Sequence, residues 1–451
     1  MLTHHQADLQ RLFDARVPRY TSYPPANHFS ATAGGENQAA WLASLSDDDA
    51  ISLYVHIPFC RRLCWFCACR TQGTSNLRPV AAYVKDVLHE IGLVAARMTA
   101  RPSLSRLHLG GGTPTILDAS LAKTLLTGIF DAFDPGEDFE FSVEIDPTEA
   151  SEAALRMLAE FGMNRASIGV QDFEPAVQSA IGREQSFAQT RRAVKILRKA
   201  GVRSLNVDLL YGLPHQTDET LARSLHKVLD LAPDRIALYG YAHVPWMSKR
   251  QSMIEAATLP QAQQRFELAE VARALLLQSG FTEVGIDHFA RPGDGLALAR
   301  DAGRLRRNFQ GYTDDTAETL IGLGASAISR FAGGYCQNAA ATSAYSRMVR
   351  ADRLAGQRGF VLSSADRLAA RMIEQLMCHF TLDTGGLEAE FPGARGDIAS
   401  ATRRLLDTWP DLCRYEAGRV VIARRGRPLI RVIAATLDRF VTPGMSHSLA
   451  V

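Results

Sequence analysis

Net charge is almost absent from this chain: 50 Lys and Arg stand against 48 Asp and Glu, a formal +2. Such a balance offers no basic field to nucleic acid or to an acidic lipid surface, so neither partner is expected. Long hydrophobic runs are missing too. No stretch reaches the ~18 apolar residues of a membrane span. The opening MLTHHQADLQRLFDARV lacks a basic stretch followed by an apolar core, which argues against a secretory signal. A soluble, cytoplasmic protein is expected. Internal repeats and low-complexity tracts are also lacking, which excludes solenoids and disordered arrays. Cysteine is sparse outside one place. Of seven, four crowd into Cys60–Cys69, while Cys336, Cys378 and Cys413 lie far apart and read as small buried hydrophobes. Without an export signal, the crowded four point to metal binding or catalysis and not to disulfides.

What is present is an alternation of short apolar strands and amphipathic helices. Strands are predicted at Ser52–His56, Arg106–Leu109, Phe139–Glu144, Arg165–Gly169, Ser204–Leu209 and Arg235–Tyr239, with a weaker seventh at Thr282–Gly285. Val80, Val84, Val87, Leu88 and Ile91 keep helical spacing after the first strand, as does 261–278 before the seventh. Steady alternation implies a parallel sheet with right-handed crossovers. Six units suit a partial (β/α)6-type barrel, with a doubly wound open sheet as the alternative. In both, functional groups gather at the carboxyl ends of strands. Prolines in PRYTSYPP (18–25) oppose helix, so residues 1–45 read as an extended arm. The barrel domain is expected over 46–344. Residues 345–451 read as a mainly helical C-terminal domain with a hairpin near Arg419–Arg427.

The cysteine segment runs His56-Ile-Pro-Phe-Cys60-Arg-Arg-Leu-Cys64-Trp-Phe-Cys67-Ala-Cys69. Three thiolates within eight residues can wrap one compact centre, and thiolate suits zinc or iron–sulfur. Zinc knuckles usually stand in small modules of their own, whereas this loop follows a barrel strand. Trp65 and Phe66 add an apolar cover. The spacing C-x3-C-x2-C resembles that of the radical S-adenosylmethionine (SAM) superfamily. That resemblance implies a 4Fe–4S cluster on Cys60, Cys64 and Cys67, with the fourth iron left for SAM.

The ordered series PRYTSYP, YVHIPFC, GGGTPT, EIDP, GVQDF, DLLYGLP, IDHFARP and NFQGYT, over residues 18–313, resembles the oxygen-independent coproporphyrinogen III oxidase family. The resemblance implies a reaction. Two propionates of coproporphyrinogen III lose CO2 and become vinyl groups, driven by a 5′-deoxyadenosyl radical from SAM. It also implies two SAM molecules and an external electron donor such as flavodoxin or ferredoxin. One SAM would meet Tyr54, Gly111, Glu144 and Ile328. The other would meet Phe66, Gly112, Thr113, Gln171, Arg183, Asp208 and Ala242. Cys69, Tyr54 and Glu144 fall among the reacting groups. For Glu144 and Asp208 the plainer alternative is a strand-end carboxylate capping the next helix. The family commonly has Gly where this chain has Ala68. A haem chaperone or an anaerobic haem-degrading radical SAM enzyme is the alternative reading. Chaperone relatives typically lack the fourth cysteine and the arm, and this chain has both. A monomer is expected.

The substrate bears four carboxylates, so cationic side chains should line its cavity. Arg19 is the first candidate, then Arg291 and Arg307, whereas Arg424, Arg425 and Arg427 read as solvated surface. Tyr20 and Tyr23 either close over a flat substrate or pack the arm, and the arm is expected to act as a lid adding little stability.

Overall fold

The computed structural model describes Ala15 and residues 17–441. The opening segment, the first part of the expected arm and the last ten residues of the expected C-terminal domain lie outside the described residues.

Six parallel strands run in chain order: β1 (Ala50–Ile57), β2 (Ser103–Gly111), β3 (Pro135–Ile145), β4 (Met163–Gln171), β5 (Ser204–Tyr211) and β6 (Arg235–Gly240). Short β7 (Thr282–Val284) and β8 (His288–Ala290) close the β6 edge antiparallel. At the other edge β9 (Thr319–Leu323) joins β1 in parallel. A meander of β10 (Ile328–Phe331), β11 (Gly334–Asn338) and β12 (Gly356–Val361) then extends the sheet antiparallel. Because β1 to β6 never reverse order, there is no switch point of the doubly wound kind. The architecture is a partial barrel.

Local chemistry sets the elements. Helix-facing Leu53, Leu107, Val143, Ile168, Val207 and Ile236 are fully buried and form the core between sheet and helices. The helices Glu152–Glu160, Phe187–Lys199 and Asp218–Leu229 start where Ser151, Ser186 and Thr217 each accept a backbone N–H three residues on. Such caps satisfy donors that a helix end leaves open.

Three expectations need correction. The arm is extended only near Val17–Pro25; Gly35–Ala43 is an α-helix, since alanines, Trp41 and Leu42 follow the glycines. The sheet crosses the boundary expected at 344, because β12 pairs with β11. The strand–helix alternation stops there only because antiparallel strands need no crossover helix. The C-terminal hairpin spans Cys413–Ile422, turning at Ala417 and Gly418, both with positive φ. It joins Thr381–Asp383 in a small sheet packed on the helices Ser364–His379 and Arg395–Thr408.

Candidate active site

The cysteine loop leaves the carboxyl end of β1 and is pinched at its base, where Phe59–Cys60 pairs with Gln72–Gly73. Each of its first three thiols meets a donor. Thr113 Oγ1 lies 3.4 Å from Cys60 Sγ, Arg183 NH1 3.6 Å from Cys64 Sγ, and the Cys69 N–H 3.4 Å from Cys67 Sγ. The Cys67 thiol is held down to about 6, first by its hydrogen bond with Cys69, while that same bond pushes Cys69 up. Burial pushes Cys60 up to about 11.

The triple glycine at the end of β2 is required sterically at every position. A Cβ at Gly110 would come within 2.8 Å of Glu144 Oε1. At Gly111, where φ is +117°, it would meet the His56 ring at 2.6 Å, and at Gly112 it would meet Phe59 O at 2.7 Å and Cys60 Sγ at 3.0 Å. Only glycine lets β2 pass this close to the thiols and the carboxylate. Gln171 sits at a bulge in β4 with φ +69°, a strained position of the kind that collects at functional sites.

The polar floor is a connected network. His56 Nε2 donates to Arg70 O at 3.1 Å, so its Nδ1 accepts from Tyr54 Oη at 2.9 Å. Tyr54 stacks on His108, which bonds Ser142 Oγ at 2.5 Å and lies 3.4 Å from Glu144. Glu144 also accepts the Gly111 N–H at 3.0 Å. Burial would raise the Glu144 carboxyl, but His108 and that N–H outweigh it and hold it below the usual range. Asp208 goes the other way: burial raises it against donors on Ser167 and Asn206. Neither carboxylate caps a helix, since Ser151 and Thr217 take those positions.

A cavity of about 2330 Å³ opens beside the cysteine loop, and Tyr54, Glu144, Gln171, Arg183 and Asp208 are not among the residues lining it. Phe66, Cys67, Ala68, Cys69, Ala242 and Ile328 line it, and so do Arg19, Arg307 and Arg431. Arg307 is nearly buried; its Nε and NH1 have no hydrogen-bond partner among the described residues. Burial, then the charge of Arg19, lowers Arg431 to about 10. Arg291 is not at this site: it covers the Phe281 ring at 4.1 Å and donates to Ser279 O, because β8 ends just before it and turns it outward. Arg424, Arg425 and Arg427 are exposed, yet they line the cavity rim. Tyr20 and Tyr23 are buried in the C-terminal core, bonded to Asp438 Oδ2 and Arg439 N. The arm is thus packed structure that also forms cavity wall, since residues 17–22 and 25–27 line the cavity.

A model of the Radical SAM superfamily matches residues 54–228. The oxygen-independent coproporphyrinogen III oxidase of Paracoccus denitrificans (strain Pd 1222) is 52% identical over 99% of both chains. This chain belongs to the oxygen-independent coproporphyrinogen III oxidase family. The family member from Escherichia coli (strain K12) is 37% identical over 94% of this chain and 93% of its own. Among solved structures, the coproporphyrinogen III oxidase HemN from Escherichia coli, described as a radical SAM enzyme, superposes with a TM-score of 0.89 at 36% identity. It covers 95% of this chain and 100% of its own.

The residues present fit the 4Fe–4S cluster and SAM that this family implies. Three soft donors leave one loop, each already facing a hydrogen-bond donor, and Gly112 keeps the space beside Cys60 Sγ clear. Among the described residues, no three His, Cys, Asp or Glu side chains converge as ligands of a single ion would.

The Arg183 guanidinium lies 3.2 Å from Asp146 Oδ2 and donates to Gly169 O and Gln185 Oε1. A residue expected to serve SAM alone is therefore also bound into the fold. Residues missed in the sequence brace the cysteine loop from the segment after β6. Gln251 Nε2 donates to Phe66 O at 2.7 Å and to Ala242 O at 3.2 Å, Ser248 to Cys67 O, and Arg250 to Cys69 O. These are polar residues in irregular chain, with no periodicity to reveal them. Their only signal was the apolar setting of Val244 and Ile254 on either side.

Proposed function

We propose that this protein carries out the anaerobic oxidative decarboxylation of two propionates of coproporphyrinogen III, giving protoporphyrinogen IX. The observation that carries the reading is an arginine-lined cavity lying directly over a three-thiol loop. The cluster and SAM would supply reductive SAM cleavage and the radical that takes a hydrogen atom from a propionate β-carbon.

The chain's own residues do the rest. Cys60, Cys64 and Cys67 would hold the cluster, and Cys69 stands beside it as a reacting group. Phe66, Gly111, Gly112, Thr113, Gln171, Arg183, Ala242 and Ile328 hold two SAM molecules with Tyr54, Glu144 and Asp208. Ionised Glu144 accepts from ribose hydroxyls or an ammonium, and Tyr54 keeps it company as a neutral donor because burial raises its phenol. Arg19, Arg307 and Arg431 take propionate carboxylates. The carboxylate of each propionate leaves as CO2, with one hydrogen atom taken from the β-carbon and one electron passed to an external acceptor, and the two carbons that remain become the vinyl group. The electron entering the cluster comes from a flavodoxin or ferredoxin. The protein is read as a cytoplasmic monomer. Among the described residues no helix is long and apolar enough to cross a membrane.

The test is anaerobic turnover of reconstituted protein with SAM, reductant and coproporphyrinogen III, read by product mass. Sequential loss of two CO2 is expected. A methylated or opened haem from a parallel haem incubation, with coproporphyrinogen untouched, would favour the haem-degrading alternative instead.

A further inference from the structure

Among the cationic groups of the cavity stands one inner carboxylate that no arginine meets within hydrogen-bond distance. Asp287 precedes β8, and its side chain is 16% exposed. The other acids lining the cavity are differently placed. Glu283, Asp301, Asp383 and Glu390 each meet an arginine at 3.1 Å or less, and Glu270 stands on a half-exposed helix face beside Arg273. Asp287 instead has Arg307 NH2 at 3.9 Å from Oδ2, beyond hydrogen-bond reach. Its Oδ1 accepts from His288 Nδ1 at 2.6 Å, and the far side of that ring faces Tyr239 Oη at 3.4 Å. The carboxylate is thereby oriented through Oδ1 by the His288 ring, and Asp287 lines the cavity.

We propose that Asp287 is the acceptor for the pyrrole N–H groups of the substrate, and that it selects the reduced porphyrinogen over the oxidised porphyrin. This rests on the function proposed above. A porphyrinogen carries four pyrrole N–H donors, no bare ring nitrogen and saturated bridges. It can pucker so that its donors converge on one point. The oxidised ring is flat, with two N–H groups and two bare nitrogens that a carboxylate repels. Arginines can bind the propionates of both forms equally well, so they cannot make this distinction; a buried anion at the ring centre can. Without an acceptor there, sequestering four N–H groups would cost the substrate its hydrogen bonds to water. Asp287 is held as the anion that such acceptance needs. Burial opposes ionisation, but the His288 bond and the charges of His288, Arg307 and Arg431 prevail.

The experiment uses cluster-loaded holoenzyme under anaerobic conditions, measuring equilibrium binding of coproporphyrinogen III and of coproporphyrin III to wild type and Asp287→Asn. Wild type should prefer the porphyrinogen by about tenfold or more, the worth of a charge-assisted hydrogen bond. In Asp287→Asn the preference should fall to about twofold or less, with iron content and SAM binding unchanged. A variant that weakens both ligands alike would make Asp287 a counter-ion of the arginines and overturn the proposal. So would a variant that keeps the preference. A variant-free arm guards against misfolding: N-methylcoproporphyrinogen III, lacking one donor, should bind wild type about tenfold more weakly than the parent. Equal binding overturns the proposal. If wild type binds no tetrapyrrole at all, the functional reading itself falls, and that result is distinct from the others.

Discussion

At the scale of single residues the thiols are separated by their partners. Ala at Cys60, Cys64 or Cys67 should abolish the cluster, and Cys69→Ser should keep about four irons per chain with absorption near ~400 nm. Iron analysis after anaerobic reconstitution checks this; loss of iron in Cys69→Ser would contradict it. Arg183 carries two duties. Arg183→Ala should lower SAM affinity and also destabilise the protein by about 1.5–3 kcal/mol, because the partly buried Asp146 loses its charged partner and keeps only its bonds from Thr148. An unchanged melting temperature would show that this pair is not structural. Glu90 gives a pH dependence. It accepts from Gly324 N, Asn338 Nδ2 and Tyr345 Oη, yet burial raises its carboxyl from 4.5 to about 7. The folded protein then holds that proton more tightly than the unfolded chain. Stability is lost as pH climbs from about 4.5 toward 7, at up to about 1.4 kcal/mol per unit, and changes no further above. Urea midpoints should show wild type losing ground to Glu90→Gln between pH 5 and pH 8; a constant gap would contradict this. The cysteines, glycines and strand-end carboxylates were legible because their chemistry demands those residue types. Arg291 misled because an arginine in a motif reads alike whether it faces a cavity or, as here, covers Phe281.

Two elements behave differently from their appearance in sequence. The segment after β6 looks like a loop, but Gln251 is 1% exposed and ties Phe66, Ala242 and Val244 together. Gln251→Ala should destabilise by about 1–3 kcal/mol, since it leaves those backbone groups unsatisfied. Iron should also leave faster to a chelator, and iron loss at the wild-type rate would remove the segment's role as a brace. The arm looks like a lid because its prolines exclude helix. Tyr20 and Tyr23 instead fill the C-terminal core beside Ile430 and Ile433. Tyr23→Ala should cost about 3–5 kcal/mol, the usual range for an emptied aromatic site. Calorimetry that shows no change would restore the lid reading. Proline in the sequence announced an extended path but carried no information about what the path lies against.

For the whole molecule, period-two and helical patterns disclosed the six parallel units, and their unreversed order makes a partial barrel. The antiparallel meander after β9 was hidden. Its strands are short, and Ile328–Phe331 and Gly334–Asn338 carry too little alternation to distinguish them from loop. The barrel, the strap of residues 18–25 and the C-terminal helices enclose one cavity, with thiols at its floor and arginines on its walls and rim. The central claim is that a radical generated at that floor takes hydrogen from a propionate held by those walls. Coproporphyrinogen III deuterated at the propionate β-carbons tests it most directly, with reconstituted protein, SAM and reductant in the absence of oxygen. The account predicts deuterium in the 5′-deoxyadenosine formed, together with vinyl product. Vinyl product with unlabelled 5′-deoxyadenosine would contradict it.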